Sequence, residues 1–403
     1  MERRHGTVTV DLETSLAAVD EQAWNRLVAA DDPFHEYGFL HAMEASGAVG
    51  AGTGWEPRFL LARVGGSLAG ALPFYLKYHS WGEYIFDWQW AEAYGRAGLD
   101  YYPKALVGLP FTPASCQRIL VAPGYDFEEI AAPLVRHLLA FARSERLSSV
   151  HALFLEAREQ RFLEGMGFAS RLSSEFLWRN HGYSSFEDFT QALRSKKRKQ
   201  IVAERRAVRA MGLEITTLVG DQIQEPHVEA MWRFYADTTE RKGGQRYLNR
   251  ETFGLLHQDC RHNMVMVLAR DGGREAAGSL AFHKSSSLYG RYWGSLGHYP
   301  GLHFECCYYL PLDYAIEAGV GRFDAGVQGE QKFFRGFEAH ATLSSHWMAH
   351  PPARRAIEDY LSDERHYVRE VIARYNSLSP LKALRSRVSR GDGKRGESPD
   401  CGG

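Results

Sequence analysis

Two stretches of this chain, about 207 residues apart, carry one pattern. The first reads Leu61-Ala62-Arg63-Val64-Gly65-Gly66-Ser67-Leu68-Ala69-Gly70-Ala71-Leu72, and the second Leu268-Ala269-Arg270-Asp271-Gly272-Gly273-Arg274-Glu275-Ala276-Ala277-Gly278-Ser279-Leu280. Each is an apolar strand, a Gly-Gly turn and a second strand with a glycine before its apolar end, which is a hairpin signature. Either the chain holds two unrelated hairpins, or a repeat at half its length marks a duplicated domain.

The surroundings favour duplication. Helical stretches precede each hairpin, at residues 21–28 and 39–44 in the first half and at 227–239 and 250–259 in the second. A helix and a strand follow each one, at 131–146 and 150–156, then at 309–318 and 319–326. Antiparallel hairpins followed by an αβ unit give a mixed sheet, and that order resembles the GNAT acyltransferase fold. The expectation is an α/β protein of tandem GNAT-like domains, mixed sheets flanked by helices. The first covers residues 1–178 and the second 179–376. Residues 377–403, with Pro380, Pro399 and scattered basic residues, read as a disordered tail.

Composition narrows the class. The 403 residues hold 48 Lys+Arg against 49 Asp+Glu, so any polyanion must meet a local basic patch and not a basic protein. The five cysteines, at 116, 260, 306, 307 and 401, include no CxxC, which points to free thiols in a reducing compartment. No apolar leader follows the N-terminus, and no run approaches the ~20 apolar residues of a membrane helix. A cytoplasmic protein without stable membrane insertion is expected. No Walker loop, HExxH or metal-ligand spacing occurs, so no metal is expected.

Longer motifs carry a more specific likeness. They are Gly54-Trp55-Glu56-Pro57-Arg58, Leu76-Lys77-Tyr78-His79-Ser80-Trp81-Gly82-Glu83-Tyr84-Ile85-Phe86-Asp87-Trp88 and Tyr101-Tyr102-Pro103-Lys104 in the first half. In the second they are Leu288-Tyr289-Gly290-Arg291-Tyr292-Trp293-Gly294, Leu302-His303-Phe304-Glu305-Cys306-Cys307-Tyr308-Tyr309 and Gly329-Glu330-Gln331-Lys332. Over roughly residues 20 to 378 the chain resembles the FemAB-like proteins of peptidoglycan biosynthesis or recognition, in the GNAT superfamily. It departs from them at Gln331, where the motif carries His, at Cys116 in place of Gly, and at Gly243 in place of Trp. The likeness implies two halves with a cleft between them. Its more distant relatives, the Fem-type ligases, transfer amino acids from aminoacyl-tRNA to an amine.

Candidate site residues follow from chemistry and from this likeness. Lys196, Lys197, Arg198, Lys199, Arg205 and Arg206 lie on one helix with Leu193, Ile201, Val202, Val208 and Met211 as its inner side. They form either a solvated face or a binding surface for the phosphates of tRNA or a coenzyme. Tyr289, Arg291 and Trp293 alternate on one strand face, as a packed aromatic face or as a pocket wall with Arg291 aimed at an anion. His303 and Gln328 are added as substrate contacts. In the first half Lys77, His79, Glu83, Asp87 and Trp88 form a polar-aromatic segment that either lines an acceptor cleft or belongs to the core. Glu305 is the first candidate for the base that takes the amine proton, against a helix N-terminal charge role. The likeness points to Arg335 or Lys332 as the cation at the acceptor or intermediate.

The expected activity is transfer of an amino acid from charged tRNA to an amine or hydroxylamine-type acceptor, either a small metabolite or a cell-wall precursor. Aminoacyl-tRNA is then a co-substrate and no cofactor is required. Acyl-CoA is the rival donor. The nearest match to its pyrophosphate turn, Arg209-Ala210-Met211-Gly212-Leu213-Glu214, fails at the last position. A non-catalytic protein that binds peptidoglycan precursors is the third reading.

Overall fold

The computed structural model describes residues 7–327 and 329–384. Thirteen strands build its single sheet. From the first half come β1 (Val8–Glu13), β2 (Trp55–Val64), β3 (Ser67–Lys77), β4 (Lys104–Val107), β5 (Leu120–Val121), β6 (Ser149–Leu155) and β7 (Ala169–Arg179). The second half adds β8 (Glu214–Val219), β9 (Met264–Asp271), β10 (Arg274–Lys284), β11 (Ser287–Ser295), β12 (Arg322–Asp324) and β13 (Glu338–Met348). The order is β1-β2-β3-β4-β6-β13-β7-β12-β11-β10-β9-β8, with β5 beside β3.

The repeat is real. The Gly-Gly hairpins β2–β3 and β9–β10 are the second and third strands from opposite edges. Gly65 and Gly66 take φ of 56° and 82°, and Gly272 and Gly273 take 54° and 77°. Positive φ at both central residues matches the turn to the right-handed twist of the strands, and glycine adopts it without strain. Each half also has one parallel pair, β4–β6 and β11–β12, reached through a helical crossover. The helices Phe127–Ser144 and Leu310–Glu317 supply those crossovers.

The halves are not side by side as two closed sheets. They exchange their last strands. β13 pairs with β6 from Ser149 to Leu155 and with β7 from Ala169 to Leu177, while β7 continues the second-half sheet by pairing with β12. The expected boundary near residue 178 therefore separates the chain but not the sheet. A shared core crosses it: Phe34 of the first half meets Phe282 and Tyr289 of the second at 5.5 and 5.1 Å between ring centres. The expected start of the tail also moves. Leu381 is buried and bridges to Leu193, so the chain packs past residue 377; residues 385–403 lie outside those described. Among the described residues no helix is long and apolar enough to cross a membrane.

The strand exchange buries a polar seam. His346 on β13 and His151 on β6 meet through their Nδ1 atoms at 2.7 Å, so one must donate and the other accept. Ser344 and Ser149 bond their Nε2 atoms at 3.0 and 2.8 Å. Burial, then the charge of Lys104, brings His151 down to about 3. Burial, with His151, Arg171 and Lys104 beside it, holds His346 well below the ordinary histidine range. A histidine neutral in the fold and titrating near 6.5 when unfolded contributes stability that is complete above that pH and lost as pH falls. His346→Gln is therefore expected to flatten the acid limb of stability. Between about pH 6 and 4 the parent should lose about 1.4 kcal/mol per pH unit more than the variant, measured by urea titration at each pH. Parallel curves would show that His346 does not carry this term.

Candidate functional site

β11 and β12 run side by side only at Ser287–Tyr289 and Arg322–Asp324, and then part. At the parting β11 is irregular: Tyr292 pairs with Leu280 but Gly290 with Ala281, so Arg291 is an extra, bulged residue. A bulge takes a residue out of the hydrogen-bond ladder and shifts the alternation of everything beyond it. Tyr289 consequently lies in the core shared with Phe34, whereas Trp293 packs on the other side with the cluster of Val208, Val267, Leu302 and Cys306. The expectation that Tyr289, Arg291 and Trp293 share one face fails for this reason. Gly294 holds the bulged strand in place: a Cβ there would lie 2.1 Å from the carbonyl oxygen of Phe234, on the helix Glu225–Arg241 packed across it.

The parted strands open a cavity of about 870 Å³ between the halves. Its walls are β11 from Gly290 to Trp293, the helical segment of His303, Phe304, Cys307 and Tyr308, and the exit of β12 at Ala325–Val327. The first half closes it with Trp81, Gly82, Tyr84 and Phe86, and the segment of Lys242, Gly244, Gln245 and Tyr247 forms the remaining rim. A smaller cavity of about 530 Å³ adjoins it, lined by Trp55, His79, Phe111 and Arg246, with Gln245 and Tyr247 common to both.

Arg291 spans the cleft. Its Nη2 donates to the carbonyl of Phe111 in the first half at 3.0 Å, while its buried Nε has no hydrogen-bond partner among the described residues. A buried donor left unpaired is costly, and such groups call for an explanation such as a ligand. His303 meets Trp293 edge to face at 5.3 Å. Burial, then the positive charges of Lys242, Arg335 and Lys332, brings it down to about 4, so it is neutral at pH 7.

The three residues expected to do chemistry lie elsewhere. The segment from Leu302 to Glu317 has two faces. His303, Phe304, Cys307 and Tyr308 line the cavity, whereas Glu305, Tyr309 and Asp313 meet the basic helix Ser195–Arg209. Glu305 sits in a π-helical turn and accepts from Arg205 Nε at 3.0 Å; Arg205 also bonds Asp313 at 2.5 Å and lies over the Phe186 ring. Burial raises Glu305 above the usual carboxylate range, and Arg205 opposes it. Its carboxylate is thus an interior ion pair and not a wall of the cavity. Arg335 is equally enclosed: it bonds Glu204 at 3.0 Å and Tyr309 Oη at 2.9 Å, and its guanidinium lies 3.4 Å from the centre of the Phe304 ring. Lys332 is buried and donates to the carbonyl of Gly326. Burial lowers its pKa against the nearby Asp324 and Glu175. Glu175 is pushed up to about 8 by burial and by Asp324.

The basic helix divides the same way. Arg205 faces inward, but Lys196, Lys199 and Arg206 are exposed. Lys197 lies over the Phe334 ring at 4.3 Å, and Arg198 donates to Gln191 at 2.7 Å. Leu193, Ile201 and Val208 are buried as expected; Val202 is 54 % exposed, because it falls on the stripe of Lys199 and Arg206.

In the first half the polar segment folds into a buried ion network. Lys104 donates to Glu83 at 2.8 Å, to Ser80 at 2.9 Å and to Asp87, and Tyr101 donates to Asp87 at 2.5 Å. Lys77 stacks on Trp55 at 3.7 Å, lies 3.8 Å from Glu83, and is brought down to about 7 by burial. Glu83 and Asp87 therefore hold a loop and do not line either cavity; of the five residues expected there His79 alone reaches a wall, with its neighbours Trp81, Gly82, Tyr84 and Phe86. Trp88 is exposed next to Trp81. Tyr289 accepts from Arg322 at 2.6 Å inside the core, and Gln328 lies outside the described residues. Sequence reasoning missed the hub, Lys104, whose partners are 17 to 24 residues away. It also missed Cys307 and Tyr308 as wall residues, although the helical spacing of 303, 304, 307 and 308 carries that signal.

A family profile named FemAB-like, described as peptidoglycan biosynthesis/recognition, matches residues 15–383. Among curated proteins no sequence match is found. Among solved structures, FemX aligns over 84 % of this chain and 98 % of its own, with a TM-score of 0.53 at 12 % identity. The C-terminal domain of a putative lysylphosphatidylglycerol synthetase from Agrobacterium fabrum aligns over 86 % and 96 %, with a TM-score of 0.53 at 10 % identity. At such identities the likeness is one of fold.

The placement of Glu305 has a direct test. Glu305→Gln should cost about 1–3 kcal/mol in a urea titration, since Arg205 loses a charged acceptor. Turnover per folded molecule should stay close to that of the parent. A fall of about 10²–10⁴-fold with unchanged stability would restore Glu305 as the base.

Proposed function

This chain belongs to the FemAB-like family of acyltransferases, described for peptidoglycan biosynthesis and recognition, and on that premise we propose that it moves an aminoacyl group from charged tRNA to the amine of a cell-wall precursor. The observation that carries the reading is the bulge at Arg291 beside the cavity between the halves. Attack of an amine on an ester builds negative charge on the carbonyl oxygen, and fixed donors at that point lower the barrier. Arg291 supplies a permanent cation there, with a buried N–H not used by the fold. Its bond to Phe111 ties it to both halves, so it stays aimed with little reorganisation.

Proton removal works differently from the sequence expectation. Among the described residues no carboxylate lines the cavity. His303 is neutral but, at about 4, too weak a base to take a proton efficiently near pH 7. Its ring is suited to accept a hydrogen bond and orient the nucleophile, with the proton relayed through the hydroxyl of the donor's own ribose to the leaving oxygen. The ester already supplies the activation, so no nucleotide hydrolysis is needed. The exposed Lys196, Lys199 and Arg206 give the tRNA backbone its counter-charge.

Three measurements bear on this. Arg291→Ala should lower single-turnover transfer by about 10²–10³-fold, whereas His303→Ala should lower it by less than about tenfold. Replacing Lys196, Lys199 and Arg206 by Ala should weaken tRNA binding and make its log–log salt slope shallower by about 2, at roughly 0.7–0.9 per lost phosphate contact. Stoichiometric binding of coenzyme A with no binding of tRNA, by calorimetry, would replace the donor with acyl-CoA.

A further inference from the structure

We propose that the mouth of the large cavity docks on the surface of an anionic lipid bilayer. Three large apolar side chains within one short segment stand in solvent there: Trp81 at 51 %, Phe86 at 46 % and Trp88 at 39 % exposed. They touch one another, Trp81 meeting Trp88 edge to face at 5.0 Å and Phe86 lying nearly parallel to Trp88 at 6.0 Å. This is one knob, and Trp81 and Phe86 form part of the cavity wall.

The knob is held outward. Trp55 Nε1 and Lys77 Nζ both donate to the carbonyl of Trp81, at 3.1 and 3.2 Å, and Arg171 donates to that of Phe86 at 3.0 Å. Beneath the segment, Lys104 bonds both Glu83 and Asp87. The fold thus spends buried ion pairs on keeping three aromatic rings in water, and a fixed exposed apolar cluster marks an interaction surface. Across the same opening stands Lys242, and Arg246 lines the smaller cavity that adjoins it; both are exposed and without an ion-pair partner among the described residues.

Aromatic rings beside unpaired cations suit two surfaces, a membrane interface and single-stranded nucleic acid. Ring geometry favours the first. Base stacking uses separate aromatic platforms, and here the three rings pack on one another, Trp81 edge to face on Trp88 and Phe86 offset beside Trp88 at 6.0 Å, so that they present one joint apolar surface. Insertion among headgroups and upper acyl chains needs only apolar volume, with Lys and Arg at the level of the phosphates. A protein partner would need roughly 800 Å² of complementary surface per side, more than one knob beside an open mouth offers. Docking in this orientation turns the cavity toward the membrane, so an acceptor carried on a lipid enters it directly. The surface alone carries this inference, and it stands or falls apart from the transfer reading.

The test is sedimentation of the full chain with vesicles of mixed phosphatidylglycerol and phosphatidylcholine, beside phosphatidylcholine alone. The protein should sediment with the mixed vesicles. The double variant Phe86→Ser, Trp88→Ser should partition about tenfold less or weaker still, with an unchanged melting temperature, since both side chains are exposed. Lys242→Glu with Arg246→Glu should abolish the preference for phosphatidylglycerol, at about fivefold per charge. No sedimentation with either vesicle overturns the proposal, and so does vesicle binding that the Phe86, Trp88 variant retains. Loss in that variant of binding to an oligonucleotide matching a tRNA acceptor end, with vesicle binding intact, would reassign the rings to the nucleic acid.

Discussion

Pairing between β7 and β13 is the constraint on which the rest of the molecule depends. Each strand closes a sheet that the other half began, so their shared ladder turns two GNAT-like sheets into one continuous sheet. At the centre β13 is paired on both of its sides, so neither half keeps an unprotected edge there. Because the exchange is reciprocal, the relative position of the halves is set by hydrogen-bond register and not by a flexible linker. The cavity lies between surfaces fixed in this way, and the Arg291–Phe111 contact across it is possible only because the two walls are held in register.

Within that frame the second half places its chemistry where strands part. A parallel pair ends early, a bulge turns Arg291 out of the ladder, and a glycine lets a helix backbone press against the bulged strand. The charged residues packed behind the cavity wall serve a different purpose. Glu305, Arg205, Arg335 and Glu204 neutralise one another between the basic helix and the helix that walls the cavity. Removing charges from water costs several kcal/mol each unless they are paired and hydrogen-bonded, so the pairing of these groups holds the wall in position.

The first half uses the same device under the Trp81–Trp88 segment. Two lysines and two carboxylates share a volume without solvent. Glu83 is pushed up to about 7 by burial and Lys77 down to about 7, the direction each takes when desolvation exceeds the attraction of its partner. A network of this kind fixes one arrangement of the loop above it, and that loop is both a wall of the cavity and the base of the exposed aromatic knob.

What the sequence determined by itself is the local architecture. Hairpins at Gly65-Gly66 and Gly272-Gly273, crossover helices, the basic helix and the family likeness are written in short-range patterns: turn residues that need positive φ, helical periodicity and runs of charge. Even there the alternation of Tyr289, Arg291 and Trp293 misled, since a one-residue bulge leaves no mark in a period-two pattern. What only the tertiary structure decided are the partners. Glu305 reads as an available base until Arg205, a hundred residues earlier, is folded against it, and His151 meets His346 only because a strand from the far end of the chain enters the first sheet. A side chain's charge state and reach depend on which distant groups remove its water, and that is a property of the assembled sheet, which no local stretch of sequence encodes.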